Sequence, residues 1–431
     1  MSGCSDKIPG WGGKQADNNG FSLTELIVVM GIFLTVMLIT SSTFKIIANG
    51  IAQQSKSAET QIEGVVGLEV LRADLEQAGF GLPWSYLSTL GAYQESVMDS
   101  TMPKAGYWPS GDPSTFNDSA TQPPRPILSA NTNFNIDSGN GAKYIAIKSM
   151  TAATNGTAKK WTNVSYTGGA RTSKTWGDSS RDFAVNDWVV AIKNNLMTAP
   201  PSRQLKLSPA GNYYVQLTAS ANLLNYTSLM SGHADGDTYQ VYGVAPGTAT
   251  PRMPFNRADY YVLTPATKMP EGCAPHTGVL YKANITHATS SGSGGGGYAP
   301  IAPGMPLLDC VADMQIVYGL DTDGGGRVNS HIDTNDPDYA SIFNYSASNP
   351  APAQNIRNQV REIRVYILTH DGKKDVLYTY PSSTVDVGES FDGTTTIKGR
   401  RFNLSTLIGT GWQNYRWKVY TIVVRPKNLI Q

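Results

Sequence analysis

Residues 18–40 read NNGFSLTELIVVMGIFLTVMLIT, and the twenty positions from Phe21 to Thr40 hold one charge, Glu25. A helix of twenty residues spans about 30 Å, the thickness of a bilayer's hydrocarbon core. The segment 21–41 is therefore predicted to cross a membrane. A buried core helix would have to be apolar on every face, which is rare in soluble domains at this length. A cleaved secretory signal would place a positive region first. The preceding MSGCSDKIPGWGGKQADNNG instead balances Lys7 and Lys14 with Asp6 and Asp17. Glu25 is the informative residue. A carboxylate at membrane depth costs about 2.5–3.5 kcal/mol and needs a reason and a positive partner. A cut between Gly20 and Phe21 would create an α-amino group four residues away, on the same chain or on a neighbour.

The helical pattern continues past the apolar run. Phe44, Ile47, Ile51, Ala58, Ile62, Val65, Leu68, Leu71 and Leu75 follow spacings of three, four and seven. Gly50, Gly64 and Gly67 weaken such a helix by up to about 1 kcal/mol each. Gly79, Gly81 and Pro83 supply a stop. One helix over 21–78 is expected, with Gly50 as a soft point between its membrane part and its head-bound part. Arg72 and Asp74 are placed to pair with the head or to stay solvated.

Beyond residue 82 the chain is turn-rich, with strand signals at 143–148, 187–192, 213–217, 239–244, 260–263, 361–368 and 415–424. Strands without long intervening helices predict antiparallel sheet. The fold class is α+β: a long N-terminal helix, membrane-spanning in its first half, packed on a large antiparallel β-rich head over 82–431. Residues 290–297 (SSGSGGGG, with its serines) form a flexible loop by composition. Charged residues make up 16% of the 431, well below the roughly 25% of ordinary soluble domains, and 34 basic residues balance 33 acidic ones. That balance gives no electrostatic drive toward nucleic acid. The five histidines show no HExxH and no zinc spacing, and no G-x-S-x-G occurs, so no enzyme is predicted.

The run Gly20-Phe21-Ser22-Leu23-Thr24-Glu25-Leu26 resembles the type IV prepilin processing motif. The resemblance implies a leader over 1–20, cut between Gly20 and Phe21 by a prepilin peptidase, with N-methylation of Phe21. It implies that Glu25, at the fifth mature position, guides assembly into a filament. Asn18-Asn19 stands where many prepilins carry a basic residue, and the leader is long. The helix end Leu71-Arg72-Ala73-Asp74-Leu75, the segment 307–321 and the segments 360–365 and 415–425 resemble PilW-type minor pilins. That family implies an inner-membrane, single-pass protein with its head in the periplasm, later carried into the pilus. Its partners would be the prepilin peptidase, other major and minor pilins, membrane lipid and a tip adhesin. A J-type pseudopilin of type II secretion and a membrane-anchored adhesin outside any filament are the alternatives.

Loss of the leader removes Cys4 and leaves Cys273 and Cys310 as an expected disulfide in an oxidising compartment. Asp321-Thr322-Asp323-Gly324-Gly325-Gly326 resembles the start of a calcium loop, with Asp321 and Asp323 as ligands. Gly325 and Ile332 fail two of its ligand positions, and a tight acidic turn is sufficient explanation. No other cofactor is expected.

Overall fold

The computed structural model describes residues 22–91, 93–96, 113–135, 141–195, 202–218, 224–247, 250–265, 269–285, 287, 304–391, 393 and 395–429. The leader, Gly20, Phe21 and the loop 290–297 lie outside the described residues. The chain divides into two units, Met1–Ser55 and Lys56–Gln431.

Helix α1 (Leu23–Glu76) runs 54 residues and passes Gly50 without a break. Within the first unit, its stretch Leu23–Lys45 is long and apolar enough to cross a membrane. Leu26, Ile27, Phe33, Leu34 and Ile39 all stand exposed there, as a lipid-facing helix requires.

In the second unit α1 lies on the head through a narrow face. Leu68, Leu71 and Leu75 are buried, whereas Val65 is 55% exposed. The expected stripe through Val65 is thus displaced onto Gly64 and Gly67. A Cβ at Gly67 would fall on the Leu307 carbonyl, and one at Gly64 would meet Leu308 Cδ1 at 2.9 Å and Tyr420 Oη at 3.3 Å. These glycines do more than weaken the helix: they let its backbone touch the sheet. At the C-terminus Gly79 adopts φ +81°, and its N–H donates to the Lys148 carbonyl at 3.0 Å. The Lys427 N–H donates to the free Glu76 carbonyl at 3.2 Å.

The sheet beneath has eight strands. Its spatial order is Arg416–Val424, Val360–Asp371, Met305–Leu320, Gly278–Ile285, Asn256–Leu263, Gly141–Ser149 and Ile127–Asn135, with Ser330–Asp333 paired beside Met305–Leu320. All its pairings are antiparallel. The core between helix and sheet joins Leu71 and Leu75 to Tyr260, Leu308, Val365 and Ile422. A second, seven-stranded sheet includes Trp161–Thr167, Trp188–Asn195 and Thr238–Ala245, and carries its own apolar clusters. A hairpin of Thr384–Ser390 and Ile397–Asn403 completes the β structure. The strand expected at 213–217 shrinks to Val215–Gln216, while Tyr213 and Leu217 on either side are buried in two separate apolar clusters. Two short helices, α2 (Pro337–Phe343) and α3 (Pro352–Gln359), each start on a proline, which fits the first turn where no N–H partner exists.

The close approach at Gly67 yields a sharp expectation. Gly67→Ala should destabilise the head by about 1–3 kcal/mol, because backbone cannot yield to the new methyl as a side chain would. Gly50→Ala, with nothing within 4 Å of its Cβ position, should be neutral or up to about 1 kcal/mol stabilising. Urea unfolding of the two variants in detergent checks both signs.

Candidate functional site

The start of α1 is the first candidate. Ser22 Oγ accepts the Thr24 N–H at 3.3 Å, and Glu25 Oε2 accepts the Ser22 N–H at 3.0 Å. Glu25 thus reaches back to the Ser22 amide as in a capping box, while Ser22 Oγ takes the Thr24 amide, and both satisfy amides that the first helical turn leaves free. Glu25 has a local partner before any neighbour is considered. The spacing was visible in the sequence, but the search for a positive partner passed over it.

The link from helix to head is ionic as well as apolar. Asp74 Oδ2 accepts the Tyr260 hydroxyl at 2.7 Å and pairs with Lys282 Nζ at 2.6 Å, all largely buried. Arg72 does not reach the head; it pairs along α1 with Glu69 and Glu76, each at 3.4 Å.

Cys273 and Cys310 are bridged, with 4.9 Å between their Cα atoms. Cys310 takes φ +57°, a conformation rare outside glycine, where the strand Met305–Leu320 shifts register against both neighbours. The Thr369 hydroxyl donates to the Asp309 and Cys310 carbonyls, at 2.9 and 3.0 Å. Beside it, His370 Nε2 accepts the Ala274 N–H at 2.8 Å. Both ends of the bridge are therefore held by one strand. Burial pushes the His370 imidazole down to about 4, so it stays neutral and remains an acceptor.

The acidic turn is closed from within. Asp321 Oδ2 accepts the Gly326 N–H at 2.9 Å and pairs with Arg361 at 3.1 Å. Asp323 Oδ1 accepts the Gly325 N–H at 2.8 Å. Arg361, on the neighbouring strand, supplies a positive charge to Asp321. Among the described residues no group of three or more His, Cys, Asp or Glu is gathered to hold a metal.

The most concentrated chemistry was not anticipated from the sequence. Lys148 is fully buried, with Nζ 2.9 Å from Glu95, 2.5 Å from Asp118 and 2.8 Å from the Phe116 carbonyl. Arg257, also fully buried, pairs with Asp259 at 2.7 Å and Glu95 at 3.0 Å. Arg125 meets Asp118 at 2.5 Å. Tyr144 donates to Asp259 and Tyr93 to Glu95. Burial pushes the Glu95 carboxyl up, but the charges of Lys148 and then Arg257 outweigh it and hold it at about 2. Three cations thus balance three carboxylates and consume one another's hydrogen bonds. The cluster fastens residues 93–96 and 113–125 onto the eight-stranded sheet. Directly bonded partners in it lie as many as 162 positions apart, so no local pattern marks them.

The second unit is an α+β head in which the end of α1 packs by glycine contact on a disulfide-bridged antiparallel sheet. Residues 260–428 match the family model described as PilW, type IV pilus-assembly protein W. That segment, which holds the central strands under α1, the Cys310 strand and the acidic turn, is where the chain is similar to the PilW family. No curated protein and no solved structure matches the chain.

These groups make the head acid-sensitive in a defined window. His287, pushed down to about 3 by burial and the Arg252 charge, and His370 at about 4, are both depressed from the ordinary 6.5. The unfolded chain therefore binds more protons as pH falls below 6.5, and folding loses stability at up to about 1.4 kcal/mol per pH unit for each histidine. Glu95 adds a further loss from near its ordinary value of 4.5 down to about 2. Urea midpoints should be flat above pH 7 and fall steeply between pH 6 and 4.5.

Proposed function

We propose that this chain is a minor pilin that takes part in type IV pilus assembly, as a priming or tip subunit, through its N-terminal helix. The observation that carries the reading is the continuity of α1, from an exposed apolar end bearing Glu25 to a PilW-family head. In this reading a prepilin peptidase removes residues 1–20 and methylates Phe21. The new amine then lies one residue before the Ser22 N–H that Glu25 already accepts. Glu25 exchanges that amide for the amine, on its own chain or a neighbour's, while the apolar helices associate in the bundle. The head sits in the periplasm until extraction into the filament.

A lone anchor and a filament subunit respond oppositely to one substitution. In a lone anchor Glu25→Leu removes an insertion cost of about 2.5–3.5 kcal/mol and should be neutral or better. In a filament subunit it strips a buried amine of its partner, which costs about 3–5 kcal/mol. The expected outcome is normal membrane level and normal cleavage. The fraction recovered with sheared pili should fall more than about a hundredfold. N-terminal sequencing of the wild-type membrane form should begin at Phe21, and Gly20→Val should block cleavage. A mature chain beginning at Met1 in cells with an active peptidase would refute the reading.

A further inference from the structure

One site in the head has the opposite electrical character to the neutralised cluster. The guanidinium carbons of Arg357 and Arg203 lie 5.3 and 5.7 Å from the centroid of the Trp84 ring. Arg357, near the end of α3, is only 5% exposed, and its Nε has no hydrogen-bond partner. Arg203 donates through Nη2 to Gln240 Oε1 and the Tyr242 hydroxyl, each at 3.0 Å, and its Nε is also unpartnered. No carboxylate pairs with either among the described residues. Burial and the charge of Arg203 push the Arg357 guanidinium down to about 10, so it remains a cation under strain. The neighbouring carboxylates, Glu95 and Asp118, are already committed to Lys148, Arg257 and Arg125.

A cavity of about 290 Å³ opens onto Arg357, walled by Trp84, Tyr86, Pro123, Tyr345 and Pro352. It takes in the first turn of α3, whose N-cap Ala351 offers no side-chain acceptor. That helix end adds positive potential. A buried cation without a counter-charge is costly to keep, and an anion entering the cavity relieves it. Guanidinium recognises carboxylate through parallel N–H···O bonds. Its aromatic and proline faces stand beside Ser85, Thr121, Gln122 and Gln354, a mixed lining that suits a methylene stem with a charged tip, flanked by the amides of a polypeptide.

We propose that this cavity binds an aspartate or glutamate side chain presented by a partner polypeptide, with Arg357 as its ion-pair partner and Trp84 as its apolar wall. The inference stands apart from the pilus reading, because binding is measured on the purified chain and needs no filament. The test uses the full chain in detergent, titrated calorimetrically with N-acetyl-glutamyl amide and with its glutaminyl counterpart at equal ionic strength. The charged probe should bind at least about tenfold more tightly, the scale of a charge-assisted pair. Arg357→Met should abolish that preference while leaving the thermal midpoint unchanged or higher, since it removes an uncompensated charge. If Arg357→Met fails to fold, Arg203→Gln should still weaken the glutamyl probe several-fold. Equal or absent binding of the two probes would overturn the proposal, as would tighter binding of glucuronate or inorganic phosphate. Retained preference in folded Arg357→Met would overturn it as well.

Discussion

The backbone of α1 touches the backbone of the strand Met305–Leu320 at Gly67, and much of the head is arranged around that contact. With no side chain between them, helix and sheet come close enough for Leu68, Leu71 and Leu75 to enter the sheet's core. The same closeness brings Asp74 to Tyr260 and Lys282 on two further strands. Shape and charge therefore fix the helix at successive turns, and the Lys427 amide closes its last one. A helix segment held at backbone distance has little freedom to slide on the sheet.

The strand Met305–Leu320 bears other constraints too. It pairs with Gly278–Ile285 and Ser330–Asp333 on one side and Val360–Asp371 on the other, and it carries Cys310. The irregular register around Cys310 is compensated by Thr369 and His370, which satisfy the carbonyls and the amide that the ladder leaves unpaired. The disulfide thus joins a segment already braced from the neighbouring strand.

Charge is handled in two contrasting ways within one head. Around Lys148 every cation meets a carboxylate, so the desolvation of each ion is offset within the cluster. Around Trp84 two arginines share an aromatic ring and, among the described residues, no carboxylate. The first arrangement is closed to outside chemistry, whereas the second leaves donors facing a cavity. Arginines of similar burial thus differ in what they can do, because their neighbours differ.

The sequence by itself determined what depends on neighbours along the chain. The apolar run after Phe21, the capping spacing Ser22-x-x-Glu25, the long helix and most of the central strands rest on local periodicity, and local periodicity is written in consecutive residues. The Cys273–Cys310 pairing was expected from the resemblance to a processing motif, since loss of a leader with Cys4 would leave two cysteines. Only the tertiary structure decided which helix face turns inward, since Gly64 and Gly67 read as weak helix formers until Leu307 and Leu308 stand opposite them. It likewise decided that Asp321 faces Arg361, that Lys148 meets Glu95 and Asp118, and that Arg357 lies against Trp84 with its Nε unpartnered. Those outcomes depend on distances between residues tens to hundreds of positions apart. Such distances are set by how the sheet stacks its strands, and no short window of sequence contains them.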